Sequence, residues 1–425
     1  MMVRHLASMG LVAAAMAVVA FGGDADWPQW RGPNRDGHAA SQTLMQSWPE
    51  EGPELVFQFD HAGGGYSAMS VVDGRMYTLG ADQGDAFALC IDVASGREVW
   101  RTVFSATGGE SDYNTRWGDG TRSTPTVDGQ DVFVLSDVGI VAAMDRSTGR
   151  VRWKVDLVRD HGGSIPMWGY SESVLIDGDR VMCTPGGSNF MVGLDRRTGE
   201  KVWSSVGVDA PAQYASIVRG MAGGGVPYYA TASKTGLIGL KISDGSSLFQ
   251  EPATGNRVAV VTTPVVFPGG IYHTSAYYGG CARLKFEGET AELAYHLTDK
   301  TMHNHHGGVV LVDGVIYGFT KNSGGAWMAQ DLDSGQTLWR ERLRPNKSGS
   351  IAYADGRLYC YNDKDGVCYL VRPNRERFDP VGKVTLPRQT DRPRRLGAIW
   401  AHPVIADGVL FIRDQELIFG FDVGG

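Results

Sequence analysis

The sequence predicts an all-β protein, an eight-bladed β-propeller of four-stranded antiparallel blades, and three observations carry that prediction. A segment with Asp, Gly and Trp at fixed spacing recurs in register along the chain. Interleaved with it, pairs of short apolar strands broken by a glycine turn recur roughly every 50 residues. Glycine, at 58 of 425 residues, is about twice its usual share, as expected for many short strands joined by tight turns.

The chain opens with Arg4 and His5, an uncharged stretch over 6–23, and then "DADW". A basic start, an apolar run and small residues before a polar segment have the layout of a secretory signal peptide, with cleavage near Ala25. The alternative is a membrane anchor, but alanine and glycine make the run only weakly apolar. No cysteine follows it for lipid attachment, and nothing later is long and apolar enough to span a bilayer. Residues 1–25 are therefore expected to be removed from an exported protein, periplasmic or extracellular. Residues 26–52, with Trp27, Trp30 and Trp48, read as an arm or cap stapled to a ring over 53–425.

Within the ring, "ALCIDVASGREVW", "VAAMDRSTGRVRW", "MVGLDRRTGEKVW" and "WMAQDLDSGQTLW" align without gaps on Asp92/Gly96/Trp100, Asp145/Gly149/Trp153, Asp195/Gly199/Trp203 and Asp331/Gly335/Trp339. A fifth copy keeps Gly245 and puts Phe249 in the Trp slot. Each unit reads as a strand, a turn capped by Asp with Gly at positive φ, and a second strand bearing an aromatic that packs between repeats. The interleaved hairpins, such as "SVVDGRMYTL" and "PVIADGVLFIR", turn at Gly74, Gly129, Gly178, 223–225, Gly269, Gly314, Gly356 and Gly408. Eight units of two hairpins make eight blades, the radial solution to exposed sheet edges. The last unit is one strand short, and "GPELVFQFD" (52–60) has no partner of its own, so this N-terminal strand is expected to close the last blade.

A net charge of -7 gives no basic footprint for nucleic acid, and "RPRR" at 392–395 reads as a solvated loop. Five scattered cysteines, without CxxC, imply no metal knuckle. Cys360 and Cys368 flank an Asp-Gly turn and either bridge in an oxidising compartment or remain buried thiols.

The repeat A-x-D-x-x-T-G-x-x-x-W, complete in "AMDRSTGRVRW", resembles the tryptophan-docking motif of propellers related to pyrroloquinoline quinone (PQQ) enzymes. More narrowly, "DWPQWRGPNRDG", "HNHHGGVVLVDG" and "HPVIADGVLFIRDQ" resemble exported PQQ-like repeat proteins of planctomycete-type bacteria, a group without an established activity. The resemblance implies a quinoprotein-like propeller in which Trp100, Trp153, Trp203 and Trp339 dock onto neighbouring blades. One branch of this superfamily, the quinoprotein dehydrogenases, implies PQQ with Ca²⁺, a vicinal disulfide, calcium-binding carboxylates and a catalytic Asp. This chain has no adjacent cysteine pair, and its carboxylates do not match that set. A second branch, the outer-membrane assembly lipoproteins, implies a non-enzymatic scaffold, but their lipid-anchoring cysteine is missing here.

In a propeller, residues at the start of the inner strands ring the channel mouth. Aligning those strands gives one ring of Tyr66, Arg122, Tyr170, Tyr214, Val261, His306, Ser348 and Trp400. A second ring, two residues on, contains Glu172 and His402. Arg122, Tyr170, Glu172, Tyr214, His306, Trp400 and His402 are the candidates for a polar-aromatic ligand site. The stretch "TMHNHHGG" (301–308) holds three of the ten histidines. Read as a strand, it puts His303 and His305 on one face, where they could chelate a metal with His402. The alternative is that the imidazoles bond loop carbonyls. No hydrolase or zinc-protease motif accompanies them. The expected function is an exported binding or scaffold module, monomeric, whose partner is a small ligand, a glycan or a protein. The alternative is a divergent PQQ-dependent alcohol or sugar dehydrogenase.

Overall fold

The computed structural model describes residues 25–344, 348–394 and 396–425 and contains eight four-stranded antiparallel sheets. The expected signal peptide lies, but for Ala25, outside the described residues. Blade one is Ser70–Val72, Arg75–Asp82, Asp85–Asp92 and Arg97–Ala106, each strand pairing with the next. The same meander repeats through blade seven, which ends at Pro380–Thr385. Blade eight combines Val404–Ala406, Val409–Asp414 and Leu417–Asp422 with Leu55–Phe59 from the start of the ring. Gln58 pairs with Phe419 and Phe59 with Ile418, so the two ends of the chain close the ring as the unpaired N-terminal strand required.

Turn chemistry explains the hairpins. In four Asp-Gly hairpins both turn residues have positive φ: Asp73 and Gly74 (51° and 67°), Asp313 and Gly314 (48° and 74°), Asp355 and Gly356 (43° and 74°), Asp407 and Gly408 (47° and 74°). This is the type I′ geometry whose twist matches the flanking strands, and Asp-Gly is a sequence that tolerates it. The docking turn works differently. Asp145 Oδ1 accepts from the backbone N–H groups of Ser147 and Thr148, and Gly149 follows at φ 72°. A bulge between Ala143 and Met144 then sets Trp153 opposite Ala143.

That geometry fixes the seams between blades. The indole N–H of Trp100 donates to Arg146 O at 2.9 Å, that of Trp153 to Arg196 O at 2.9 Å, and that of Trp203 to Ile242 O at 3.0 Å. Each acceptor sits one blade on, in the residue after the Asp slot of the next docking turn. Trp339 donates to Asn374 O at 3.0 Å in blade seven. The blade eight–one seam has no docking Trp. There the wholly buried Arg413 donates to Ser67 O, Leu79 O, Ala62 O and Gly63 O. Its charge is thereby spread over backbone dipoles that would otherwise be orphaned.

All five cysteines are free and buried. Cys360 pairs with Tyr369 and Cys368 with Tyr361, so strand alternation puts the two thiols on opposite faces of blade seven and no bridge joins them.

Residues between Ala25 and the closing strand contain no strand of their own; the first part crosses the inner strands of several blades, and the part around Trp48 packs on the outer strand of blade seven. Trp27 bridges Val71 of blade one, and Pro28 O accepts from Val127 N of blade two. Arg35 donates to Ser173 O and Val174 O before blade three, and Arg31 to Val309 O of blade six. His38 bridges Tyr353 of blade seven, and Gln42 accepts from Gly408 N in the blade eight turn.

Candidate functional site

The loops that enter the inner strands, together with one hairpin and the tip of the arm, line a half-open cavity of about 280 Å³ at the channel mouth. Its centre is Trp400, in the loop before the inner strand of blade eight. The indole lies 5.1 Å from the ring of Tyr66, 6.4 Å from Trp117 and 4.3 Å from His306, centroid to centroid. From His306 the aromatic wall continues through His305, at 3.5 Å, to Tyr277, whose hydroxyl is 2.7 Å from His305 Nε2. Trp168 and Tyr214, 5.9 Å apart, form the facing wall. Trp30 from the arm closes the floor, with its ring 4.4 Å from His402 and its N–H donating to Thr263 Oγ1 at 2.9 Å.

Among the described residues, Arg122 is the charged residue in this lining and no carboxylate borders the cavity. Its guanidinium donates to Gly118 O at 2.7 Å and Gly120 O at 2.8 Å, and stands over the rings of Tyr66 and Tyr113. The surroundings of the three histidines favour the neutral imidazole. Burial pushes His306 and His402 down to about 3, and nearby cations add to it: Lys321 beside His306, Arg31 beside His402. Burial also holds His305 well below the ordinary range. The cavity is thus largely apolar and aromatic, with a positive edge.

Five of the residues picked from the sequence line this cavity: Arg122, Tyr214, His306, Trp400 and His402. Tyr170 and Glu172 do not. Tyr170 is fully buried against Gly139 and donates to Pro185 O at 3.0 Å. Glu172 is buried below, where its Oε1 accepts from Thr184 N at 2.5 Å. Loss of hydration raises its carboxyl to about 7, although Arg35 lies near.

The proposed metal ligands are not brought together. Residues 301–308 are irregular rather than a strand, so the expected alternation does not apply. His303 turns away to donate to Thr298 O at 2.8 Å, His305 faces Tyr277, and His402 donates to His306 O at 2.9 Å. Among the described residues no group of three or more His, Cys, Asp or Glu could hold a metal ion. The following glycines are steric requirements. A Cβ on Gly307 would come 1.6 Å from Gly349 O, and one on Gly308, at φ 68°, 2.0 Å from Arg31 Nη1.

The sequence reading missed Trp30, Trp117, Trp168 and Tyr277 as lining residues. Trp117 and Trp168 each precede a glycine in the loop entering blades two and three, a signal that alignment of the strands alone passes over. Tyr277 comes from the hairpin between Gly270–Ser275 and Gly280–Glu287, at φ 54°, on a connection the ring alignment did not include.

Comparison with known proteins agrees with this architecture. The family model described as outer membrane protein assembly factor BamB matches residues 84–332, more than half of the chain. The chain belongs to that family. BamB of Yersinia pestis is 26% identical over 334 residues, which cover 75% of this chain and 76% of the relative. The crystal structure of BamB from Moraxella catarrhalis superposes with a TM-score of 0.61 at 14% identity, covering 87% of this chain and 99% of that one. Quinohemoprotein alcohol dehydrogenase from Comamonas testosteroni gives 0.61 at 14% identity, covering 94% and 81%. A europium-containing methanol dehydrogenase gives 0.62 at 12%, covering 92% and 89%. At these identities the structural likeness establishes the fold, and function has to be argued from the site.

Proposed function

We propose that this BamB-family propeller is an exported binding or scaffold module whose channel mouth holds a ring-bearing small ligand or the ring-bearing group of a partner. One observation carries the reading: a half-open cavity walled by stacked indole, phenol and imidazole rings, with no carboxylate among its described lining residues and one hydroxyl–imidazole pair, Tyr277 with His305, that no carboxylate in the lining orients. Flat side chains of this kind bind ring faces with little loss of conformational freedom and offer few groups for acid–base work. Membership of the BamB family, whose name describes an assembly factor, supports a binding role. The basic and apolar start of the chain supports export, which fractionation and N-terminal sequencing of the mature protein test.

The second reading is a PQQ-dependent dehydrogenase, favoured by the structural likeness to two dehydrogenases. The residues present do not fit a calcium-bound tricarboxylate quinone. Hard divalent cations take oxygen ligands, and among the described residues no Asp or Glu borders the cavity. Glu172 is sealed below it, and Asp137 is engaged by Tyr113 and Gly108 N. Adjacent cysteines are absent as well. Adding PQQ and Ca²⁺ to purified protein, while following quinone absorbance and dye reduction with an alcohol or sugar, tests both readings. The binding reading expects neither signal to change with substrate. Substrate-dependent dye reduction would overturn it in favour of the enzyme.

A further inference from the structure

The hydrogen-bonding groups of the mouth cavity are unevenly distributed. Donors dominate. Arg122 uses only part of its donor capacity on Gly118 O and Gly120 O. The indole N–H groups of Trp168 and Trp400 are buried in the wall with no acceptor in the protein. Tyr214 already accepts at its oxygen, from Trp168 N, and its O–H remains to donate. Acceptors are fewer and uncharged: the carbonyl oxygens of Trp117 and His306 already accept from Tyr66 and His402, and the lowered imidazoles, His306 Nδ1 among them, add one ring nitrogen each.

The electrostatics point the same way. Arg122 lines the cavity, and Lys321 Nζ lies 4.5 Å from the centroid of Tyr277's ring. Lys321 and Asp119, a carboxylate that acts on Tyr66, are both exposed and outside the lining, where water and salt screen them. A cationic ligand would meet aromatic faces here but also the Arg122 charge. A neutral sugar would find few acceptors for its hydroxyl hydrogens. At about 280 Å³ the cavity falls just below the usual range for drug-sized ligands and suits one or two fused rings.

We infer that the mouth cavity takes a compact aromatic carboxylate, with its ring packed against Trp400 and Trp30 and its carboxylate held by the Arg122 guanidinium. This rests on the binding reading above and narrows it to a ligand class. Arg122 is suited to the role because a guanidinium bonds a carboxylate through two parallel N–H groups, and its own orientation is already fixed by two backbone carbonyls. One guanidinium among the described lining residues matches a monoanion.

The test compares three probes on the intact mature chain by titration calorimetry and indole fluorescence: 2-naphthoate, its neutral isostere 2-naphthamide, and maltotriose. We expect 2-naphthoate to bind about tenfold or more tighter than 2-naphthamide, the effect of one charge-assisted contact. Added salt should weaken the carboxylate and leave the amide unchanged. Arg122→Met should remove the preference, and its fold is checked by thermal melting because Arg122 also anchors the 118–120 loop. If that variant does not fold, the comparison of carboxylate with amide on the natural sequence still decides. Equal or tighter binding of 2-naphthamide, or binding of maltotriose alone, overturns the ligand class and leaves the binding reading standing. No heat and no fluorescence change with any of the three overturns both.

Discussion

The indole of Trp30 and the imidazole of His402 lie 4.4 Å apart, one carried by the arm before the ring and the other by the last blade. The floor of the mouth is therefore built from both ends of the chain, and the arm is part of the site. Trp30→Ala should lower stability by about 2 kcal/mol, as expected for truncating a half-buried aromatic. It should weaken any mouth ligand by a larger factor than a Trp48→Ala change does, because Trp48 packs on Tyr359 away from the mouth. Chemical denaturation and ligand titration of the two variants check this.

The seams between blades make a second prediction. The ring of Trp100 rests on Gly149, where an added Cβ would come 2.6 Å from it, and Trp153 rests on Gly199 in the same way. Trp153→Ala should cost about 3–5 kcal/mol, and Trp153→Phe less, since most of the packing is kept and one hydrogen bond is lost. Gly149→Ala should cost about 1–3 kcal/mol from overpacking and a strained φ. Thermal melting of the three variants ranks them.

Acid should destabilise the protein through its buried histidines. Burial holds His273 at about 4 and His402 at about 3 in the folded state, and the half-buried His306 is lowered in the same direction. Values below the ordinary 6.5 mean that their contribution is complete above pH 6.5 and is lost as pH falls toward 4. At pH 5 His273 and His402 should each withdraw about 2 kcal/mol. Glu172, Asp26 and Asp414, whose carboxyls are raised, act in the opposite sense, but the lowered imidazoles, with His161, His303 and His305 among them, outnumber them. Unfolding midpoints should therefore drop clearly between pH 7 and pH 5.

Glu172 supplies its own test. Its folded value, about 7, lies above the ordinary 4.5, so ionisation works against the fold progressively as pH rises through that window. Glu172→Gln keeps an acceptor for Thr184 N and removes the buried charge. It should stabilise the protein by about 1–3 kcal/mol at pH 8 and have little effect at pH 4.5. Denaturation of both proteins at the two pH values checks the sign.

The blades were legible because each rests on local chemistry that repeats: Asp-Gly at type I′ turns, and Asp, Gly and Trp at a docking turn whose acceptor lies one blade on. The closing strand was legible by counting, since a lone apolar strand at one end matched a missing one at the other. The site was legible only in part, and Tyr170 and Glu172 show why. Both occupy ring positions in the alignment, yet Tyr170 is drawn to Pro185 O and Glu172 to Thr184 N, contacts that no spacing encodes. Conversely, Trp30 reaches the mouth only because residues 26–44 thread the channel, a path set by Arg31 and Arg35 meeting backbone carbonyls of distant blades. Strand periodicity also failed at 301–308, where the close approach of Gly307 to Gly349 breaks the extended chain and sends His303 and His305 different ways.

Ligand binding at the mouth cavity, as proposed, can be read from the chain's eleven tryptophans directly. Indole N–H signals of the mature protein, assigned by single Trp→Phe changes, can be followed by NMR as 2-naphthoate is added. The account predicts shifts for Trp30, Trp117, Trp168 and Trp400, with Trp100, Trp153, Trp203 and Trp339 unmoved. Shifts confined to the docking tryptophans, or binding detected with the four mouth signals unchanged, would contradict it.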